Sequence, residues 1–264
     1  MTRDATTGTF QRRGQDVVKK LTDTHPAGAR FLAATHALGA EGMNDYLDTL
    51  RTAGVPLPPG LTVLNAAPLT VRHRWVPGPV LLEHATTDPD GFVDAVTEIA
   101  GWVRALAGTD ARLDTNLTNF CRLGNRLVAI DVLPPLVPST SPEPENLFDS
   151  LFHALCFHTP VTLDALVGYA ARALLTTPTP GSGPHPRLAR CLPPVHDGID
   201  VFPASWFRAR AVLALRALDG RADPACAHRL FAATSARLFR TMPETSRAAL
   251  VHRIAPTVEG LLGP

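Results

Sequence analysis

Lysine is nearly missing from this sequence: only Lys19 and Lys20 occur, side by side, although arginine is used along the whole chain. Charge of one sign is missing too, because 25 Lys+Arg stand against 24 Asp+Glu and leave a net charge of +1. That balance excludes a protein that grips duplex nucleic acid or an anionic membrane through its whole surface. Cysteine is scarce, with four single residues, Cys121, Cys156, Cys191 and Cys226, and no CxxC pair. A disulfide framework and a paired-cysteine zinc site are excluded, and the four read as buried thiols. Their even spacing invites a repeat, but the surroundings NFCRL, ALCFH, ARCLP and PACAH share nothing. The start, MTRDATTGTFQRRGQ, has no apolar core of a leader, and no apolar run approaches the roughly 20 residues of a membrane span. A cytoplasmic chain that meets neither nucleic acid nor membrane is the expectation. What is abundant is apolar: 45% hydrophobic residues over 264 positions support a large core, and 25 Pro with 19 Gly imply many turns.

Periodicity sets out an α+β order. DVVKKL, Asp16 to Leu21, is short, β-branched and preceded by the turn-like RRGQ, which predicts a strand entered from a hairpin. Apolar residues from Phe31 to Leu50 recur at helical spacing, with Gly39 and Gly42 weakening the middle, so one interrupted helix or two short ones are expected. Ala53-Gly54-Val55-Pro56 supplies the stop. Two strands follow, Leu61 to Leu64 and Leu69 to Val76, and Pro77-Gly78-Pro79 then marks a lobe boundary. Beyond it a helix is predicted over Phe92 to Leu106. Two short runs, Phe120–Arg122 and Leu127–Val132, flank a Leu-Gly-Asn-Arg turn and predict a hairpin. Helices are expected at 145–157, 162–175, 203–218, 224–242 and 243–262, with Pro178 to Pro194 irregular. The division is a small mixed lobe over 1–77 and a helical lobe over 78–264 that carries the loop and hairpin 112–132.

Three polar residues surround that hairpin: Asp114 in a loop, Asn119 at the hairpin's entry and Asp131 near its end. A hairpin returns its end beside its start, so Asn119 and Asp131 can meet on one cation while Asp114 faces the same point. Oxygen donors of that kind suit Mg²⁺, which shares its shell with waters and phosphates. Other groupings are weaker. His153, Cys156 and His158, and separately His185, Cys191 and His196, lack metal-site spacing. Ser205 lacks the GxSxG elbow of a hydrolase. The arginines Arg229, Arg237, Arg240 and Arg247 read most simply as solvated helix faces, with recognition of an anionic acceptor or leader peptide as the other use.

Asp114-x4-Asn119 followed by Ile130-Asp131 resembles the catalytic segment of the aminoglycoside phosphotransferase and choline kinase family, whose usual pattern is His-Gly-Asp-x4-Asn and then Ile-Asp. The order upstream is similar: VVKK on a strand, Glu41 in a helical segment, Gly54-Val55-Pro56-Leu57-Pro58, and His73-Arg74-Trp75-Val76-Pro77-Gly78 at the place of the interlobe hinge. The resemblance implies a two-lobed protein-kinase-like fold and Mg-ATP-dependent phosphorylation of a hydroxyl on a small molecule, an antibiotic or natural-product intermediate. It implies that Asp114 orients the acceptor and takes its proton, and that Asn119 and Asp131 hold Mg²⁺. Lys19, paired with Glu41, would contact the nucleotide phosphates, and Trp75 and Val76 would border the adenine. Lys20 points to the opposite strand face. Alternatives are a Ser/Thr kinase acting on a peptide in the maturation of a ribosomal natural product, and an inactive pseudokinase that binds nucleotide or a partner protein. The chain departs from the pattern in three places. Only 18 residues precede Lys19, with Gly8 and Gly14 as a remnant of the phosphate loop; Arg112-Leu113 replaces His-Gly, losing the usual brace of the loop; and Val132-Leu133-Pro134-Pro135 stiffens the continuation.

Overall fold

Glycine decides where the first strands turn. In the structure, a computed structural model that describes residues 4–5, 8–22, 25–176, 184–195 and 198–263, β2 (Gly8–Arg13) and β3 (Asp16–Leu21) pair across a two-residue turn. Gly14 opens that turn at φ 63°, a left-handed conformation that side chains resist. A short β1 (Asp4–Ala5) precedes β2, so two strands do stand ahead of β3. With β4 (Thr62–Ala66) and β5 (Leu69–Arg74) they make a five-stranded antiparallel sheet in the order β1-β2-β3-β5-β4. Val17 lies opposite His73 and Lys19 opposite Val71. One face therefore carries Val17, Lys19, Leu21, Leu69, Val71 and His73, and of these all but Lys19 are buried. Lys20, Arg72 and Arg74 leave from the other face and are exposed.

Two helices join β3 to β4: α1 (Ala29–Ala37) and α2 (Gly39–Thr52). The predicted weak middle is a true break, made at Gly39 with φ 65°. Met43, Tyr46, Leu47 and Leu50 form the buried stripe of α2. Its end is a Schellman turn: Val55 N–H donates to Leu50 O at 3.0 Å and Gly54 N–H to Arg51 O at 2.9 Å, with Gly54 at φ 81°. The hairpin of β6 (Phe120–Leu123) and β7 (Arg126–Ala129) runs in register from Phe120 opposite Ala129 to Leu123 opposite Arg126.

By density of contacts the chain divides into Met1–Leu81 with Trp102–Pro142, and Leu82–Gly101 with Glu143–Pro264. This differs from the expected break at Pro77, because residues 112–132 group with the N-terminal sheet instead of the helices. The ties are specific. Ala129 N–H donates to Pro56 O at 2.9 Å, Tyr46 Oη donates to Arg112 O at 3.0 Å, and Val76 packs in one cluster with Cys121 and Val128.

The second unit is helical. It holds α3 (Leu81–Thr87), α4 (Pro89–Ala105, its last turn counted with the first unit), α5 (Leu147–Phe157), α6 (Thr159–Leu174), α7 (Pro184–Ala189), α8 (Ala204–Leu218), α9 (Pro224–Ala233), α10 (Ala236–Thr241) and α11 (Glu244–Leu262). The first of these was not expected, and α7 interrupts a stretch read as irregular. The fold class is α+β. Helices α6 and α8 pack closely at Gly168, where a Cβ would come within 3.3 Å of Ala211 N. The single helix expected over 224–242 is broken at Ser235, for a tertiary reason: Thr234 Oγ1 donates to Leu230 O and accepts from Arg210 Nε, both at 2.6 Å. Among the described residues no single helix is long and apolar enough to cross a membrane; α5 with α6 passes only as a pair bent by 86°.

An ion pair is sealed in this core. Asp164 is 0% exposed and accepts from Arg208 Nε at 3.0 Å, while Arg208 Nη2 donates to Pro193 O at 2.9 Å. Burial pushes the Asp164 pKa up to about 7, against the opposing pull of the Arg208 charge and hydrogen bond. An unfolded Asp titrates at about 3.9, so the folded state holds the proton more tightly. The stability this group contributes is complete below that value and is lost as pH rises through about 7. Wild type is therefore expected to lose more stability between pH 5 and pH 8 than Asp164→Asn, by an amount on the order of a few kcal/mol. Denaturant unfolding of both proteins at the two pH values measures the difference, and parallel pH dependences would contradict it.

Candidate active site

The loop that carries Asp114 shapes itself. Its sequence, Asp-Thr-Asn-Leu-Thr-Asn, places side-chain oxygens where they can accept from the backbone two residues on. Asp114 Oδ1 accepts from Asn116 N–H at 2.9 Å, and Asn116 Oδ1 accepts from Thr118 N–H at 3.1 Å, capping a short 3₁₀ turn at Leu117–Asn119. Asn119 Nδ2 then returns to Asp114 Oδ2 at 2.9 Å. Both carboxylate oxygens of Asp114 are thereby oriented by its own loop.

The hairpin closes the far side. Ile130 N–H donates to Asn119 O at 2.7 Å, which extends the ladder by one step and brings Asp131 to the hairpin's entry. There Lys19 Nζ donates to Asp131 Oδ2 at 2.8 Å and to Ile130 O at 3.2 Å, with the two side chains 13% and 20% exposed. Asp131 Oδ1 accepts from Leu133 N–H at 3.2 Å. Four of the expected site residues, Lys19, Asp114, Asn119 and Asp131, thus form one constellation within the first unit.

Glu41 does not join it. The expected Lys19–Glu41 ion pair is absent among the described residues, and Lys19 is held by Asp131 instead. The reason is helix register: Glu41 lies two residues before Met43, about 200° around the helix from that buried position, and is exposed. Trp75 is half-buried with the Arg12 guanidinium 4.3 Å from its ring centroid. Val76 is part of the apolar cluster with Cys121 and Val128, flanked by Val80 and Ile130.

Two features escaped the pattern. Arg112 replaces the expected histidine yet braces the loop itself: Nη1 donates to Leu106 O, Thr109 O and Ala111 O at 2.8, 2.7 and 2.8 Å, and Nη2 donates to Ala107 O at 3.1 Å. Its backbone N–H donates to Leu136 O at 2.8 Å. A guanidinium fork gathers carbonyls just beyond the end of α4, where its charge suits the negative end of the helix dipole. The second feature is His73, whose signal was a polar residue in the apolar row Leu69, Val71, His73 on one strand face.

Electrostatics follow from this packing. Solvent reaches Asp114, but protein crowds its carboxylate, and that crowding raises its pKa; repulsion from Asp131 adds to the rise, while Asn116 N–H, Asn119 and the Lys19 charge pull it down. Solvent access limits the size of the shift. Burial lowers the pKa of His73, opposed first by its hydrogen bond to Arg74 and reinforced by Lys19.

The other candidate groupings do not assemble. Among the described residues no cluster of three His, Cys, Asp or Glu side chains can hold a metal ion. His153 packs against Phe157 in a tilted arrangement, 5.1 Å between centroids; His196 and the His185 side chain lie outside the described residues. Cys121 and Cys191 are buried as expected, but Cys156 and Cys226 are half-buried. Arg229 and Arg237 are exposed, whereas Arg247 is buried against Phe239 O and Arg240 O. Compared with known proteins, the chain matches no family model and has no significant match among curated proteins or solved structures.

If Arg112 is the brace, Arg112→Ala frees several carbonyls at once and loosens residues 106–119. Hydrogen exchange should then rise across this stretch and remain unchanged in β3 and β5, with a stability loss of about 2 kcal/mol or more. Arg112→Lys, which lacks the fork, should recover only part of the protection.

Proposed function

We propose that this chain is a Mg-ATP-dependent phosphotransferase with a two-lobed, protein-kinase-like fold, acting in the cytoplasm on a hydroxyl of a small molecule. The single observation that carries the reading is the convergence of Lys19, Asp114, Asn119 and Asp131, from a strand, a loop and the two ends of a hairpin, onto one constellation. Residues 95 and more apart in sequence have no local reason to meet there.

The donor set fits a hard cation. Asn119 spends its amide N–H₂ on Asp114, which leaves its carbonyl oxygen for a ligand, and Asp131 offers a carboxylate. Asn119 and Asp131 would hold Mg²⁺, which when bound neutralises charge on the nucleotide phosphates. Lys19 carries positive charge to the same place. Asp114, fixed through both oxygens, orients the acceptor hydroxyl. As that oxygen bonds to the γ-phosphorus and the bond to the β-phosphate oxygen breaks, Asp114 takes the hydroxyl proton and ADP leaves. The brace from Arg112 supports a loop rigid enough for this task.

Calorimetric titration of ATP with and without Mg²⁺ tests the reading. Micromolar, Mg-dependent binding is expected in wild type and lost in Asp131→Asn and Lys19→Ala. Asp114→Asn should bind ATP normally and lose transfer by about a hundredfold or more. Because Asp114 acts ionised and its pKa is raised, the acid limb of the rate profile should lie above the ordinary carboxylate range, with the rate falling as pH falls through it. Binding without turnover on any acceptor would leave a nucleotide-binding module, and no binding in any form would overturn the proposal.

A further inference from the structure

On the sheet face that bears Lys19, His73 is a buried polar side chain whose chemistry the proposed mechanism leaves unused. It sits on β5 directly opposite Val17, two residue pairs along the ladder from the Lys19–Val71 pair, and is 4% exposed. Its ring leaves the sheet on the face that bears Lys19, and it senses the charges of Lys19 and Asp131. Its Nδ1 lies 2.7 Å from Arg74 O. A carbonyl oxygen only accepts, so Nδ1 carries the hydrogen and donates. In the neutral ring Nε2 is then a lone-pair acceptor. That atom is buried and has no hydrogen-bond partner among the described residues. Burial and the nearby Lys19 charge both disfavour a second proton on the ring.

A buried acceptor with no donor is costly and calls for an N–H or O–H from water or from a ligand. Position narrows the choice. His73 is displaced from the Lys19 position by about 7 Å along the strand, toward Trp75 and away from the group that would meet phosphates. The acceptor hydroxyl belongs to Asp114, at the hairpin's entry. What lies a ribose away from the phosphates is the base, and a base edge that donates is the 6-amino group of adenine. The 6-oxo group of guanine or hypoxanthine would set a lone pair against a lone pair.

We infer that His73 Nε2 reads the 6-amino group of a bound purine nucleotide and makes this chain select adenine over 6-oxopurine nucleotides. The inference rests on the phosphotransferase reading and deepens it. It needs no step beyond binding, and it assigns a polar role to a residue on a strand face whose other β5 positions, Leu69 and Val71, are apolar.

The test compares Mg-bound ATP, purine riboside triphosphate, which lacks the 6-amino group, and inosine triphosphate, which carries an oxygen there, by calorimetric titration of the full chain. Wild type should bind ATP about tenfold or more tightly than purine riboside triphosphate, and inosine triphosphate more weakly still. His73→Leu should bring ATP and purine riboside triphosphate to equal affinity, and His73→Gln, whose amide oxygen is again an acceptor, should keep part of the preference. Equal affinities in wild type, or a preference unchanged in His73→Leu, overturn the inference while leaving the phosphotransferase reading intact. If His73→Leu does not fold, the wild-type ratio alone decides. Binding of none of the three nucleotides to wild type overturns both.

Discussion

One half-buried ion pair holds the proposed site together. Lys19 reaches from the middle of β3 to Asp131 and to the Ile130 carbonyl, so a single ammonium ties the sheet to the returning end of the hairpin. The pair is largely withdrawn from water, and an unpaired charge left in such a place is destabilising by about 3 kcal/mol or more. Everything nearby adjusts to that arrangement. Asn119 meets Ile130 through the backbone, Asp114 is oriented through Asn119, and burial lowers the His73 pKa, with the Lys19 charge adding to it. Asp131 is the carboxylate that holds Lys19, and Glu41, turned outward by its register on α2, faces solvent.

A second theme runs through both units: arginine serves as a backbone cap. Arg112 gathers carbonyls after α4, Arg208 takes those of Pro193 and, within the same core, the Asp164 carboxylate, and Arg247 takes those of Phe239 and Arg240 at the end of α10. Each site presents several acceptors in different directions, which a planar fork of five donors can meet and an ammonium meets poorly. Arg210 goes further. It is 1% exposed, bonded to Thr234, and placed over the faces of Phe207 and Phe231, so aromatic rings take the place of a carboxylate. A chain that uses arginine almost everywhere has turned that bias to structural use.

Much of this was legible in the residues. DVVKKL gives a strand with one lysine on each face, because side chains alternate with period two. Gly54 followed by Pro56 ends a helix where a left-handed residue is required. Leu-Gly-Asn-Arg turns a hairpin, and the turn brings Asn119 back beside Asp131 for reasons local to the chain. Where reading by pattern fell short, the deciding contacts were distant. The break at Ser235 depends on Arg210, which is 24 residues from Thr234. The brace at Arg112 looked like a loss because residue type was visible and the carbonyls around it were not.

The sequence by itself determined which segments alternate with period two or recur with helical spacing, where glycine must turn the chain, and which residues carry oxygen or nitrogen chemistry. These are short-range matters, settled by backbone sterics and by the burial of one face. Only the tertiary structure decided which carboxylate holds Lys19, that the hairpin packs with the N-terminal sheet, and that His73 keeps an unsatisfied acceptor. Such choices depend on which charged and polar groups lose water together, and that is set by contacts between residues far apart in the chain.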